Sequence, residues 1–241
     1  MAVKRLIIAI DGPAGAGKST IASRVARHLG YVNIETGAMY RALALKAIES
    51  DIGFDEEPAL VSLAGGSHID LEPTIDGNRV ILDGQDVTRR IRERDVTEAA
   101  SQVSVHPGVR EWMVNRQRSM GVAGGVVMEG RDIGTKVFPD ADVKIFLDAA
   151  PEVRGERRYR QQGPAPAVSA SEAAQKNAAA IAAEMRQRDE RDRSRANSPL
   201  VPAPDAVIID STGLTIEQVM ERVEGVIADR QSASAHANSR Q

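Results

Sequence analysis

Residues 6–30 read LIIAIDGPAGAGKSTIASRVARHLG, and this stretch decides the fold. The apolar run 6–10 has almost no polar alternation, which is typical of a strand buried on both faces of a parallel sheet. Residues 12–19, GPAGAGKS, fit the pattern G-x-x-x-x-G-K-[ST]. Apolar side chains then recur at every fourth position, which predicts an amphipathic helix over 18–30 that Gly30 ends. A strand, a glycine-rich loop and a helix in this order predict a site for nucleotide phosphates.

The residue types of this loop match the chemistry of phosphate binding. Glycines let the backbone curl so that its N–H groups point at phosphate oxygens, and the N-terminus of the following helix adds partial positive charge. We expect Lys18 to reach the β- and γ-phosphates and the Ser19 hydroxyl to bind Mg²⁺. The predicted ATP-binding residues are Gly12, Pro13, Ala14, Gly15, Ala16, Gly17, Lys18, Ser19 and Thr20.

Further short apolar runs alternate with longer helical patterns along the chain. The predicted strands lie at 6–10, 125–128, 143–147 and 206–209. The predicted helices lie at 18–30 and at about 37–49, 107–120, 151–162, 169–188 and 215–230. This alternation predicts an α/β fold in which a parallel sheet of the P-loop NTPase type is flanked by helices.

Three segments depart from this alternation. Residues 66–88 contain the turn signals Asp76-Gly77 and Asp83-Gly84 between β-prone runs, which predicts a small inserted antiparallel sheet. Residues 161–171, QQGPAPAVSAS, are typical of a mobile loop, and the tail from Ala228 has no apolar face and is predicted to be disordered. The predicted division is a core of 1–62, 96–150 and 190–227, an insertion of 63–95, a lid region with its following helix at 151–189, and a tail at 228–241.

Composition narrows the class of protein. A chain of 241 residues suits one or two compact domains. The absence of cysteine excludes a disulfide framework, a thiolate metal site and a cysteine nucleophile. The net charge of −3 argues against a nucleic-acid partner bound through bulk charge. No run approaches the roughly 18 apolar residues of a membrane helix, and the N-terminus lacks a signal-peptide core, so we expect a cytoplasmic protein. The sequence gives no sign of oligomerisation, so a monomer is the default expectation.

The loop alone does not name the reaction. The Asn-Lys-x-Asp motif of switch GTPases is absent, and a helicase or transporter ATPase would need more chain. A small-substrate phosphotransferase is favoured, and its acceptor must bear a phosphate or a hydroxyl group, as AMP, UMP, shikimate and dephospho-CoA do. A regulatory or nucleic-acid module using the arginine-rich run 186–195 is the alternative from another class. The acidic net charge and the 3% aromatic content count against it.

Arginines at particular positions support a phosphotransferase with two anionic substrates. Arg131 lies in EGRDIG, 129–134, just past a predicted strand, where open parallel sheets bind ligands. Arg41 follows TGAMY near the start of a predicted helix, and Arg110 lies in HPGVREWM.

With these residues the chain resembles the bacterial cytidylate kinases. The resemblance is carried by DGPAGAGKST (11–20), ETGAMYRALAL (35–45), AASQVSVHPGVRE (99–111), EGRDIGTKVFPDADVKIFLDA (129–149), RDERDRSRA (188–196) with PLVPA (199–203), and DSTGLTIEQV (210–219). Together these motifs span about residues 4–226. The resemblance implies transfer of the γ-phosphoryl group of ATP to CMP and dCMP, and it implies that the inserted sheet belongs to an enlarged monophosphate-binding domain.

The resemblance also implies residue roles. Those expected to read the cytosine edge are Thr36, Arg110 and Asp132. Those expected to hold the ribose are Ser101 and Asp192. Those expected to clamp the monophosphate are Arg41, Arg131 and Arg188. Those expected to act from the lid on the transferring phosphoryl group are Arg157, Arg158 and Arg195, and Arg195 is also expected to contact CMP.

Two carboxylates complete the expected site. Glu129 follows a predicted strand and is a candidate to orient Mg²⁺-bound water, although a solvated strand-end carboxylate would look the same. Asp11 ends the first strand and is expected to accept hydrogen bonds that stabilise the loop rather than to bind the metal directly. The residues expected to take part in catalysis are Lys18, Arg131, Arg188, Arg157 and Arg158.

Overall fold

The structure, a computed structural model, describes residues 5–74, 77–161 and 172–238, and it describes side chains outside 161–178 and 233–238. The strands of its main sheet are β1 (Ile7–Asp11), β2 (Val32–Glu35), β6 (Val126–Gly130), β7 (Val143–Asp148) and β8 (Val207–Asp210). They are all parallel and lie in the order β2-β6-β1-β7-β8. The first strand is therefore central, as its continuous apolar run predicts.

Helices cover both faces of this sheet. The helices before the lid region are α1 (Lys18–Leu29), α2 (Thr36–Glu49), α3 (Glu57–Gly65), α4 (Arg94–Val103) and α5 (Pro107–Gly121). The helices from residue 151 onward are α6 (Pro151–Gln161), α7 (Glu172–Ser194) and α8 (Ile216–Asn238). The predicted α/β class is confirmed, whereas β2, α3 and α4 were not predicted.

Two apolar clusters lie on opposite faces of the sheet. Helices α1 and α8 pack on the face that carries Ile8, Ile10 and Val127. Helices α2, α4 and α5 pack on the face that carries Ala9 and Met128. Because successive side chains of a strand point to opposite faces, the unbroken apolar run of β1 supplies both clusters.

The inserted segment forms the predicted antiparallel sheet. Its strands are β3 (Ile69–Thr74), β4 (Gly77–Leu82) and β5 (Gln85–Asp86), joined in that order. The turn between β4 and β5 has both Asp83 and Gly84 at positive φ, the pattern of a tight hairpin turn. The first residue of the other predicted turn, Asp76, lies outside the described residues. Inward side chains of β3 and β4 join the core cluster of α2 and α4, so the small sheet shares the core of the main body.

The C-terminal segment differs from the prediction of disorder over 228–241. Helix α8 continues through Ala228 as far as Asn238. No glycine or proline occurs over 228–238, and a helix already formed adds residues without a new nucleation cost, so the helix does not need an apolar face there. The predicted mobile loop 161–171 lies outside the described residues except for Gln161, which ends α6. Within the described part of the chain, no helix combines the length and the apolar character of a membrane span.

Candidate active site

The glycine-rich loop joins β1 to α1 in a conformation that requires its first glycine. Gly12 has a φ of 144°, and a Cβ atom there would lie 2.0 Å from the carbonyl oxygen of Leu147. The loop ends at Lys18, the first residue of α1, whose buried ammonium group donates a 2.7 Å hydrogen bond to the carbonyl of Pro13. The ammonium group of Lys18 thus bonds to the backbone of its own loop. Phosphate oxygens are the acceptors expected for this group in a nucleotide complex.

A carboxylate at the end of β6 faces this lysine. Burial lowers the pKa of Lys18 and Arg131 lowers it further, whereas Glu129 raises it. Burial also raises the pKa of Glu129, an effect that Glu35 reinforces and that Lys18 and a hydrogen bond from Ser19 oppose. The Oε1 atom of Glu129 is buried and has no hydrogen-bond partner. This orphaned oxygen beside the Ser19 hydroxyl is the kind of ligand pair that a hydrated divalent cation uses.

The aspartate that ends β1 fixes the segment after β6. Asp11 accepts hydrogen bonds from the backbone N–H groups of Ile133 at 2.9 Å and Gly134 at 2.8 Å. Burial raises the pKa of Asp11 to about 6, although these two hydrogen bonds lower it. Asp11 accepts hydrogen bonds as expected, but they come from the segment after β6 and not from the glycine-rich loop. That Asp11 does not bind the metal directly stays a prediction. The contacts of Asp11 anchor the π-helical turn Ile133–Val137 and so place Asp132, the residue before that turn.

Arg110 and Asp132 form a buried ion pair. Nη2 of Arg110 lies 2.5 Å from Oδ2 of Asp132, and both side chains are less than a tenth exposed. Nη1 of Arg110 donates to the carbonyl of Ser104 at 3.1 Å, and its guanidinium lies 5.7 Å from the centre of the Tyr40 ring. Burial raises the pKa of Tyr40 to about 12. The structure therefore brings together two of the three residues expected to read the cytosine edge.

A second ion-pair cluster surrounds Asp192 on α7. Its Oδ2 atom accepts a 3.0 Å hydrogen bond from Nε of Arg131, and its Oδ1 atom accepts one from Arg195. Burial alone would raise the pKa of Asp192, but Arg131, Arg195 and Arg188 hold it below its ordinary value. Arg195 also donates to the hydroxyl of Ser104 at 3.3 Å, which links this cluster to the Arg110 pair.

Positive charge exceeds negative charge beside these clusters. Burial lowers the pKa of Arg188 to about 10 and Arg131 lowers it further, and no hydrogen bond or ion pair joins Arg188 to another described side chain. Arg41 pairs with Glu35 at 2.5 Å, yet its Nε atom is buried without a partner. Arg158 is half-buried, and its pKa is lowered by burial and by nearby Arg41. Such an excess of guanidinium groups favours a polyanionic ligand.

The two predicted hydroxyl groups differ in their partners. Oγ1 of Thr36, at the start of α2, donates a 2.7 Å hydrogen bond to the carbonyl of Glu129. Oγ of Ser101, in α4, is buried without a partner. A buried orphaned hydroxyl marks a place where a ligand group could supply the missing bond.

The adjacent arginines Arg157 and Arg158 face different parts of the site. Arg157 donates to the Ser211 carbonyl at 2.7 Å and hydroxyl at 3.0 Å, and it approaches the carbonyl of Ala16 at 3.4 Å. It therefore lies at the glycine-rich loop, whereas Arg158 lies beside Arg41. Their action on a transferring phosphoryl group stays a prediction.

Comparison with known proteins identifies the family. The family model described as cytidylate kinase matches residues 8–229. The chain belongs to the cytidylate kinase family. It is 48% identical over 230 residues to the cytidylate kinase of Solibacter usitatus, with 94% of each chain covered. It is 46% identical over 227 residues to that of Geobacillus thermodenitrificans, with 94% of this chain and 98% of the relative covered. The relative from Enterococcus faecalis is 46% identical over 226 residues, with 94% and 97% covered.

The resemblance drawn from the sequence is thereby confirmed, and the chain is a nucleoside monophosphate kinase. Membership of the cytidylate kinase family does not by itself assign the individual side chains. Among the side chains described, no group of three or more His, Cys, Asp or Glu residues is arranged to hold a metal ion. Ser19 and Glu129 remain the pair whose chemistry fits a hydrated cation.

One buried side chain that the sequence analysis did not single out fixes the backbone beside the candidate site. Asn78, in β4, donates from Nδ2 to the carbonyl of Asn33 at 2.9 Å and accepts from the N–H of Glu35 at 3.3 Å. It thereby continues the ladder at the free edge of β2 and fixes the chain just before Thr36. A lone asparagine in a β-prone run gives no indication of this contact, because its partners lie more than forty residues away.

Proposed function

We propose that this cytidylate kinase family member transfers the γ-phosphoryl group of ATP to CMP and dCMP, giving CDP or dCDP and ADP. The observation that carries the choice of base is the buried pair of Arg110 and Asp132. A carboxylate accepts a hydrogen bond from the 4-amino group of cytosine, whereas the 4-carbonyl of uracil would meet it acceptor to acceptor. The guanidinium of Arg110 holds the carboxylate in one orientation and can itself donate to a base acceptor.

The rest of CMP is assigned to the groups that lack partners or carry excess charge. Ser101, with its orphaned hydroxyl, and Asp192 are proposed to bind the ribose hydroxyls. Arg41, Arg131 and Arg188 are proposed to clamp the monophosphate, because planar guanidinium groups bind phosphate oxygens in pairs. Thr36 is proposed to join the cytosine contacts from the start of α2.

The ATP site is assigned to the glycine-rich loop over residues 12–20. Lys18 would exchange its bond to the Pro13 carbonyl for phosphate oxygens, whose negative charge favours the protonated ammonium. Ser19 and Glu129 are the residues that would hold Mg²⁺, the serine directly and the glutamate through water. When bound with ATP, Mg²⁺ neutralises charge on the β- and γ-phosphates.

The chemistry then follows from placing two polyanions in line. The attacking phosphate oxygen of CMP is already largely ionised near neutral pH, so no strong general base is needed. Lys18, Arg131 and Arg188 stabilise the charge that develops between the two substrates. Arg157, Arg158 and Arg195 are proposed to contact the transferring group and to exclude water, which would otherwise accept it. We expect the enzyme to act as a cytoplasmic monomer on free nucleotides, without nucleic acid or membrane.

An acceptor panel tests the proposal. ADP release is measured with ATP and Mg²⁺ in the presence of CMP, dCMP, UMP, AMP, GMP, shikimate or dephospho-CoA. The proposal requires kcat/KM for CMP and dCMP to exceed that for every other acceptor by at least about 100-fold, since a site built to hydrogen-bond a substrate can reject an analogue by up to about 10⁴–10⁵-fold. Preference for another acceptor would overturn the assignment of the base-reading residues and leave the ATP site intact.

A further inference from the structure

Helix α6 carries an arginine that ties three separate segments together. Nε of Arg154 donates to the carbonyl of Ala149 at 2.9 Å, just after β7. Its Nη1 atom donates to the carbonyl of Ala14 in the glycine-rich loop at 2.9 Å and lies 2.5 Å from Oδ2 of Asp189 on α7. Both charged side chains are only 3% exposed. The phosphate loop is thus joined to α7 through one guanidinium.

Close packing at the same place supports this connection independently. A Cβ atom on Gly15 would lie 2.5 Å from Cε of Met185 and 3.2 Å from Cβ of Arg154. Met185 and Asp189 are one helical turn apart on α7, so they form one stripe that faces the phosphate loop. The loop and the helix are therefore held together by van der Waals contact as well as by the ion pair.

The same helix carries the acceptor-side groups on a neighbouring stripe. Arg188, Asp192 and Arg195 are spaced four and three residues apart, which places them on one face of α7. Asp192 on that face binds Arg131 of the segment after β6. The backbone of an α-helix is rigid over a few turns. The contacts of Met185 and Asp189 with the phosphate loop therefore also fix the position of Arg188, Asp192 and Arg195.

We propose that Arg154 and Asp189 are positioning residues that fix the distance between the ATP phosphates and the acceptor phosphate. The proposal rests on the proposed function, because it takes Arg188 and Asp192 to bind the acceptor. The pair touches neither substrate and acts by locking α7 against the phosphate loop. Phosphoryl transfer needs the reacting atoms within about 3–3.5 Å and in line, so a small displacement of α7 lowers kcat more than it lowers the affinity for either nucleotide.

The first test removes one charge without changing the shape of the side chain. Asp189→Asn is compared with Glu190→Gln, which neutralises the exposed neighbour on the same helix. We expect Asp189→Asn to lower kcat by at least about 30-fold while KM for ATP changes less than about threefold, as misplacement of reacting groups predicts. The control should retain the kcat of the wild type. A folded Asp189→Asn variant with kcat within about threefold of wild type would overturn the proposal.

The second test separates positioning from stability. Apolar residues in place of a buried ion pair often restore or increase stability. We therefore expect the double variant Arg154→Met/Asp189→Leu to have a Tm closer to that of the wild type than Asp189→Asn has. Its kcat should stay at least about tenfold below that of the wild type, because the bonds to Ala14 and Ala149 are not replaced. Recovery of kcat together with Tm would mean that the pair is merely structural and would overturn the proposal.

A third variant covers the case in which the others do not fold. Arg154→Lys keeps the charge opposite Asp189, but one ammonium group lacks the fork that reaches all three acceptors. It should fold and still lose kcat by about tenfold or more, and a kcat equal to wild type would contradict the proposal. All ratios are taken with the acceptor that the wild type prefers. A wild type that prefers another acceptor would therefore overturn the proposed function. The kcat ratios of the Arg154 and Asp189 variants could still be measured with that acceptor, so the two failures are distinguishable.

Discussion

Arg110 on α5 and Asp132 after β6 form a 2.5 Å ion pair in which neither side chain is more than 8% exposed. The pair is held from both sides, since Arg110 also donates to the carbonyl of Ser104 and the turn after Asp132 is anchored by Asp11. A buried carboxylate in one fixed orientation is a suitable reader of a base edge, because it accepts hydrogen bonds and cannot donate them while it is ionised.

Replacing that carboxylate by its amide should weaken the choice of base. In Asp132→Asn the amide can turn its NH₂ group toward the 4-carbonyl of uracil. We expect the ratio of kcat/KM for CMP over UMP to fall by at least about tenfold, in line with the 1–3 kcal/mol assigned to a good pairing with a base edge. Steady-state ADP release with the two acceptors measures this ratio. Asp140→Asn, at an exposed position, is the control, and an unchanged ratio in Asp132→Asn would remove Asp132 from base reading.

The lysine of the phosphate loop should matter for charge and not for packing. Lys18→Ala should lower kcat by about 100-fold or more, the loss that follows removal of one preorganised donor at a developing charge. Its far-ultraviolet circular dichroism should match that of the wild type. Lys136→Ala, which removes an exposed lysine, should remain fully active. Retention of activity within tenfold in Lys18→Ala would rule out the assigned role.

Arg188 should act on the monophosphate rather than on ATP. It lacks an ion pair among the described side chains, so no partner neutralises its charge. Burial and Arg131 lower its pKa only to about 10, so it is charged near neutral pH and can bind an anion. We expect Arg188→Ala to raise KM for CMP at least about tenfold more than KM for ATP, since charged hydrogen bonds contribute about 1.5–3 kcal/mol. Arg191→Ala, on the exposed side of the same helix, is the matched control. Equal increases in both KM values would contradict the assignment.

Asp192 should link stability to pH. Its pKa is held below the ordinary value in the folded protein, chiefly by Arg131 and Arg195 against the effect of burial. A depressed pKa stabilises the fold above the unfolded pKa, and this stabilisation is lost as the pH falls through the folded value. Removing the carboxylate also leaves two arginines unpaired, so Asp192→Asn should cost about 3 kcal/mol at pH 7.

Urea unfolding at several pH values measures this difference. The gap in unfolding free energy between wild type and Asp192→Asn should be constant near neutral pH. The gap should narrow below about pH 4, because Asp192 of the unfolded wild type then binds a proton while Asp192 of the folded protein is still ionised. A gap that stayed constant down to pH 3 would contradict the assigned linkage.

The sequence predicts the central elements because their signals are local. The apolar run of β1 and the glycine-rich loop each lie within a few consecutive residues, and the family motifs indicate most of the candidate site. Strand β2 was missed because Val32 is 40% exposed and Asn33 is polar. Its pairing is completed by β6 and by the amide of Asn78, which lies far away in the chain.

The arginine-rich run 186–195 has the composition of a solvated helix face, and in the structure only part of it is solvated. Asp189 and Asp192 are 2% and 1% exposed, whereas Arg191 and Arg193 are exposed. Each buried acid pairs with an arginine far away in the chain. Asp189 pairs with Arg154, 35 residues earlier, and Asp192 pairs with Arg131, 61 residues earlier. Pairings over such separations leave no periodic pattern in the sequence, so neither Arg154 nor Asp189 could be predicted.

The proposed reaction requires that CMP, and not water, receives the γ-phosphoryl group. Phosphorus NMR of the enzyme with equimolar ATP, CMP and Mg²⁺ follows that group directly. We expect the monophosphate signal of CMP to be replaced by nucleoside diphosphate signals in step with the loss of the γ-phosphate signal of ATP, until the four nucleotides reach equilibrium, with little inorganic phosphate. Accumulation of inorganic phosphate with unchanged CMP, or no reaction in a folded ATP-binding protein, would contradict transfer to CMP.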